Sequence, residues 1–421
     1  MTGNVAGLTV GATSALTANI TQTNCTNLTV AWGSNDSSVV RIASSGVLSV
    51  LTAGGPVTIT ATANGVSGTI QLSTTFTLIA GDVRTGLGWA YQPNLGTYSS
   101  ISGFEYNSNN SAVVFARSAI GVYSATFTGL ATQQGQADNV QVVAYGNGDV
   151  RCKLAGWGAA AADMRVDVLC FDHNGVAADA MYDVFLTGAS ALQGAFAFAL
   201  APSATAVRAF GAARTTYTAN RAAVPFVRSA TGQYLVTFPG LAAADGSPIS
   251  FQVTAVGAGS AYCLVAGFTN SGADVQLAVR CYGTGAVPAD AQFSALMLGR
   301  GRSGARSGFL WADQEAAELN IAHQGKAAYT YSSSGTSGAA VTHTGTGTYL
   351  VAWPNLARTA ASDRETMLVT ALGSTAAAPA SVQAVSCSVV GWQIGAIAVT
   401  VACRDASGAL VDAQFFIALL G

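Results

Sequence analysis

The sequence predicts an all-β chain: a small N-terminal sandwich followed by three tandem antiparallel β-sandwich or jelly-roll-like repeats. Three observations predict it. Apolar and polar residues alternate at the strand period, with Gly, Ser, Asn and Asp between the runs and no amphipathic helix of useful length. A set of sequence anchors returns three times in the same order. The chain of 421 residues also exceeds what one hydrophobic core organises. The anchors divide it into residues 1–79, 80–189, 190–300 and 301–421.

The first unit is read from its turns and its alternation. Asn35-Asp36 supplies turn chemistry, Ser45-Gly46 makes a hairpin bend, and Val57, Ile59 and Ala61 alternate along a strand with Trp32 as a core anchor. The segments that carry this pattern are Leu8-Thr-Val-Gly-Ala-Thr-Ser-Ala-Leu-Thr17, Val30-Ala-Trp-Gly-Ser-Asn-Asp-Ser-Ser-Val39, Gly46-Val-Leu48 and Ala53-Gly-Gly-Pro-Val-Thr-Ile-Thr-Ala-Thr62. In order and spacing, residues 8–79 resemble the bacterial immunoglobulin-like group 2 (BIG2) domain. The resemblance implies an Ig-like sandwich in an extracellular setting, in bacterial adhesins, surface proteins or phage structural proteins, and implies no catalytic residue.

In the three larger units, the first anchor is Gly121-Val-Tyr-Ser-Ala-Thr-Phe-Thr-Gly-Leu130, repeated at Gly232–Leu241 and Gly347–Leu356. A C-x-x-x-G-[WF] anchor follows at Cys152, Cys263 and Cys387, each with a later cysteine at Cys170, Cys281 or Cys403. The units close on Asp179-Ala180, Asp290-Ala291 and Asp412-Ala413 and a short apolar strand ending in Gly188, Gly299 or Gly421. An aromatic opening strand recurs at Gly88–Tyr91, Gly194–Phe198 and Gly308–Trp311. Seven or eight short strands per unit call for two sheets rather than one.

Each cysteine pair brackets a turn, with midpoints at Ala161, Gly272 and Gly395, and parity sets Cys170, Cys281 and Cys403 beside apolar residues. The prediction is a cross-strand disulfide in each repeat, Cys152–Cys170, Cys263–Cys281 and Cys387–Cys403. Buried free thiols are the other reading, because directly opposed strand cysteines close a strained bridge. Two sulfurs without a histidine at ligand spacing fall short of a structural zinc site, so no metal and no cofactor are expected. Cys25 is left without a partner.

Only His173, His323 and His343 are present and none recurs; His173 falls in a turn and His343 reads as exposed strand. The recurring Asp179, Asp290 and Asp412 read as Asx-type turns at a strand entry rather than as acid pairs or calcium ligands. No catalytic residue is assigned. The side chains most suggestive of contact are Trp157, Phe268 and Trp392. Simple parity sets them on the more polar face, where a ring could stack on a sugar or a neighbour. The preceding glycine admits the other reading, a bulge that turns the ring inward.

Charge is sparse, with 18 Lys or Arg and 20 Asp or Glu in 421 residues, 9% against a typical figure of roughly 25%. A net charge of −2 offers no extended basic surface for neutralising phosphates, so no nucleic-acid partner is expected, and no stretch approaches the roughly 20 apolar residues of a membrane-spanning helix, so no membrane insertion is expected. A hydroxyl- and amide-rich surface tolerates close packing. The sequence therefore predicts a non-enzymatic structural or adhesive protein, secreted or on the bacterial cell surface, whose partners are itself or other surface proteins. A carbohydrate-binding array or a phage virion structural or decoration protein are the alternatives. Residues 1–8 show no basic start or apolar run of a signal peptide, which leaves a trimmed secreted protein or a particle component.

Overall fold

The structure is a computed structural model that describes residues 2–3, 13–20, 29–35, 37, 40–50, 54–74, 84–132, 137–188, 196–210, 216–218, 224–242, 248–299, 306–313, 318–335, 339–358, 363–373, 384–393 and 397–421. Cys25, Asp36, Gly194 and Gly395 lie outside them. The N-terminal unit packs two three-stranded sheets face to face. One has the order β1 (Thr13–Ala15), β4 (Val47–Val50), β3 (Val40–Ile42); the other runs β2 (Ala31–Ser34), β5 (Gly54–Ala63), β6 (Val66–Thr74). Val40, Leu48, Val57 and Ile59 form its core, with Trp32 against them. Gly46 turns the β3–β4 hairpin at φ +82°.

Among the described residues, each larger repeat contributes nine strands in the same order. In repeat 1 they are β7 (Thr85–Ala90), β8 (Thr97–Ser99), β9 (Glu105–Asn107), β10 (Val113–Ala119), β11 (Val122–Phe127), β12 (Asp138–Tyr145), β13 (Arg151–Ala160), β14 (Asp163–Phe171) and β15 (Met181–Gly188). Repeat 2 has β16 (Ala197–Leu200), β17 (Arg208–Phe210), β18 (Thr216–Thr218), β19 (Pro225–Ala230), β20 (Gln233–Phe238), β21 (Ile249–Val256), β22 (Tyr262–Ser271), β23 (Asp274–Tyr282) and β24 (Gln292–Gly299). Repeat 3 has β25 (Ser307–Ala312), β26 (Ala322–Gln324), β27 (Tyr331–Ser332), β28 (Ala340–Gly345), β29 (Thr348–Ala352), β30 (Thr366–Leu372), β31 (Ser386–Gln393), β32 (Ala398–Arg404) and β33 (Gln414–Leu420). Among the described residues, no helix is long and apolar enough to cross a membrane.

A repeat folds into a five-stranded and a four-stranded sheet, β8-β10-β11-β14-β13 and β12-β15-β7-β9 in repeat 1, with the hydrophobic core between them. The sheets do not stop at the repeat boundary. The five-stranded sheet of repeat 1 continues into the four-stranded sheet of repeat 2, that of repeat 2 into repeat 3, and that of repeat 3 back into repeat 1. Three nine-stranded sheets therefore close a ring about a pseudo-threefold axis.

The joins are parallel and short. Leu154 of β13 pairs with Val256 of β21, Val265 of β22 with Leu372 of β30, and Val389 of β31 with Tyr145 of β12. Immediately after the strand, the amides of Gly257, Gly373 and Gly146 donate to the carbonyls of Leu154, Val265 and Val389 at 2.9, 2.8 and 2.8 Å. Within a repeat the pairing is antiparallel, so these joins are where sandwiches become one body.

Candidate functional site

Three of the four repeating anchors meet in one corner of each sandwich. Gly121 sits at φ +65°, and a Cβ there would lie 2.5 Å from the Cys170 carbonyl and 2.8 Å from the Ala178 amide, so only glycine fits. Its amide donates to Asp179 Oδ1 (2.9 Å), as does the Tyr123 hydroxyl (2.7 Å), while Cys170 N donates to the Gly121 carbonyl (2.8 Å). Arg117 adds a two-pronged pair to Asp179 at 2.9 and 2.8 Å. Repeat 2 builds the same corner from Gly232, Tyr234, Cys281, Asp290 and Arg228. In repeat 3 the Arg position is His343, bonded to Asp412 at 2.9 Å and stacked on Tyr349.

The recurring aspartates therefore do accept backbone amides, but across 58 residues in repeat 1 rather than within a local turn. Hydrogen bonding to Arg117 and Arg228 holds the Asp179 and Asp290 carboxyls down at about 2. His343, read from the sequence as exposed strand, is buried at 7% exposure because it substitutes for the arginine in this corner. His173 remains in its turn and pairs with Asp149.

The cysteines bond as Cys152–Cys170, Cys263–Cys281 and Cys387–Cys403, directly opposed across each hairpin with Cα atoms 4.1, 4.0 and 4.1 Å apart. Cys170, Cys281 and Cys403 are fully buried. The turns at Ala161 and Gly272 take positive φ, 56° and 61°, as two-residue hairpins require.

Trp157, Phe268 and Trp392 follow a β-bulge. Register slips by one residue between Leu154 and Gly156, Val265 and Gly267, and Val389 and Gly391. Simple parity from the cysteine therefore fails: the extra residue moves each ring to the side of its buried partner, Val166, Leu277 or Val399. Phe268 of repeat 2 packs on Trp311, Tyr329 and Phe416 of repeat 3, with centroids 5.8, 5.1 and 5.6 Å away. Trp392 of repeat 3 packs on Trp89, Phe104 and Tyr145 of repeat 1. Trp157 packs against the repeat 1 core, its ring N–H donating to Asp138 (2.7 Å). On the seam between repeats 3 and 1, Arg358 joins Glu365 to the Gly103 carbonyl and lies over the Phe104 ring.

A polar network lies where the four-stranded sheets face the axis. Thr254 donates to Gln141 Oε1 (2.7 Å) and accepts from the Val142 amide (3.2 Å); Thr370 repeats this with Gln252 (2.9 Å) and Val253 (3.0 Å). At the third join the corresponding residues are Val143 and Leu368, which are apolar. Asn139 and Gln141 also reach Ser294 of repeat 2, at 2.6 and 3.1 Å. Asp183, at the position of Ser294 and Phe416, is wholly buried and its Oδ2 has no hydrogen-bond partner. Burial pushes its carboxyl well above the ordinary range and so favours the protonated form.

At the loop end of the axis, the three central strands β12, β21 and β30 and the starts of β13, β22 and β31 line a partly open cavity of about 70 Å³. Three cations, Arg151, Lys153 and Arg404, contribute to its wall. The sequence reading singled out none of them, because each occurs in only one repeat. Among the described residues, no three His, Cys, Asp or Glu side chains gather as a metal site would require. Comparison with protein-family models, curated proteins and solved structures finds no match to the chain.

Proposed function

We propose that the protein is a non-enzymatic extracellular structural or adhesive component, in which the three-repeat ring acts as one rigid unit and the N-terminal domain as a BIG2-like spacer. Its setting in this reading is a bacterial surface layer, fibre or similar assembly, with further copies or other surface proteins as partners. One observation carries the reading: the residues that recur are consumed in building the ring. The glycines, tyrosines, aspartates and cysteines close the corners, and Phe268 and Trp392 close seams. Three disulfides fit an oxidising compartment.

The test is assembly. Light scattering and electron microscopy of the purified chain over a concentration series are expected to show ordered oligomers, filaments or sheets. Featureless monomers at every concentration would overturn the assembly form of the proposal. A virion structural or decoration protein is a second reading, supported by the pseudo-threefold closure, which presents related surfaces three times around one axis. Cryo-electron microscopy of particles from the native source separates the two settings. A glycan-binding role would have to use side chains other than Trp157, Phe268 and Trp392, and a glycan array that stays blank with the full chain at high concentration would remove it.

A further inference from the structure

The cavity at the loop end of the pseudo-threefold axis is partly open, and its wall carries an excess of positive charge, Arg151, Lys153 and Arg404 against Asp149. Its volume of about 70 Å³ is several times the roughly 10–15 Å³ that admits one water. Lys153 is 5% exposed, and its ammonium donates to the Gly259 carbonyl of repeat 2 at 2.7 Å. Arg151 bonds the carbonyls of Asp172 and His173, and its guanidinium lies 4.1 Å from the Tyr262 ring centroid. Arg404 of repeat 3 bonds the carbonyls of Gly408 and of Asn147 in repeat 1. Carbonyls fix where these cations sit; Asp149 and Asp172 partly offset the charge of Arg151, whereas burial is the sole resolved influence on Lys153.

The carboxylates near this end are already engaged. Asp149, which lines the cavity, is bonded to His173, Asp172 to the Val176 amide, and Asp405 to Ser407 and the Ala409 amide. Asp149 is also the sole carboxylate in the three loops between these strands, residues 146–150, 257–261 and 373–385. Buried charges are ordinarily paired, and an uncompensated one costs several kcal/mol.

The fold does not require these cations. The positions equivalent to Lys153 are Leu264 and Ser388, those equivalent to Arg151 are Tyr262 and Ser386, and those equivalent to Arg404 are Phe171 and Tyr282. Apolar or hydroxyl side chains complete the same corner in the other repeats. The charge is thus an addition to the scaffold, and it converges on one cavity.

We propose that the axial cavity is a binding site for a small oxyanion of the phosphate, sulfate or carboxylate class, with Lys153 as the principal cation and Arg151 and Arg404 supplying the surrounding positive field. Ser386 and Ser388 add hydroxyls to the wall. Burial brings the Lys153 ammonium down to about 8, which leaves it cationic at pH 7, and an anion alongside it offsets the cost of burying that charge and stabilises the fold. Because the cations come from repeats 1 and 3 and the Lys153 carbonyl partner from repeat 2, the bound ion would tie all three repeats at the axis.

The experiment is thermal unfolding of the full chain at pH 7 with inorganic phosphate titrated against sodium chloride at constant ionic strength, and acetate as the carboxylate arm. The expected result is a saturable rise in the unfolding midpoint of about 3 °C or more with phosphate. Lys153→Leu, which copies repeat 2, is expected to lose that rise, and Lys153→Arg to keep it. Saturation by acetate alone would narrow the class to carboxylates. A rise that grows linearly and equally in wild type and Lys153→Leu is a general salt effect and overturns the proposal, as does no rise with either anion. Should Lys153→Leu fail to fold, Arg404→Phe, which copies Phe171, serves instead: an undiminished phosphate response in it counts against the site. Selenate soaked into crystals is expected to give an anomalous peak in the cavity, and an empty cavity would overturn the assignment.

Discussion

Gly121, Gly232 and Gly347 show at the level of single residues why the first anchor recurs. Each holds a positive φ near +65° with a carbonyl 2.4 to 2.6 Å from where a Cβ would sit. Gly232→Ala is expected to cost about 1–3 kcal/mol in chemical unfolding, whereas Ala substituted at the open, exposed Gly259 is expected to cost far less. Asp179 and Asp290 carry a pH signature. Their folded carboxyls titrate at about 2, below the ordinary 3.8, so their stabilisation is complete above about pH 4 and disappears as pH falls toward 2. Asp179→Asn combined with Asp290→Asn should flatten that acid limb in unfolding curves measured from pH 5 to 2. Asp183 works in the opposite sense. Its folded carboxyl is raised, so folding takes up a proton and stability declines as pH climbs above its unfolded value. Asp183→Ser, which copies repeat 2, is expected to raise the unfolding midpoint at pH 7 and to remove that decline; an unchanged or lower midpoint would speak against a costly buried acid.

Among the strands and hairpins, the sequence is most informative where pairing is local. The hairpins β13–β14 and β22–β23 were legible because the cysteines lie symmetrically about Ala161 and Gly272 and because alternation sets Cys170 and Cys281 among buried valines and leucines. Ellman titration in denaturant is expected to count one thiol per chain without reductant and seven with it, since three disulfides account for six of the seven cysteines. Side-chain direction beyond the bulge was not legible from period-2 counting, because a single inserted residue inverts it. The glycine before each aromatic was the available signal. Equally hidden was the arginine of the corner, Arg117 or Arg228, which lies before the first anchor and becomes His343 in repeat 3, so that no shared letter marks the position.

Across the whole molecule, the repeats were countable from sequence but their closure into a ring was not. Its signature is one glycine after each central strand, Gly146, Gly257 and Gly373, and a threonine–glutamine pair found at two joins of three. The apolar third join distinguishes the contact between repeats 3 and 1 from the other two, a device that disfavours wrong pairings among similar edges. Deleting residues 301–421 removes the partners of both β12 and β22. The shortened chain is therefore expected to dimerise or aggregate in size-exclusion chromatography at concentrations where the full chain does not; a stable, monodisperse fragment would show that the joins contribute little. Ring closure also sets a timetable. β12 emerges early from the ribosome, yet its neighbour β31 is made about 240 residues later, roughly 10 to 50 s at ordinary synthesis rates. For that interval the first repeat carries an uncovered strand edge, so its safe biogenesis calls for a holding factor, or for export before folding, until the last repeat arrives to cover it.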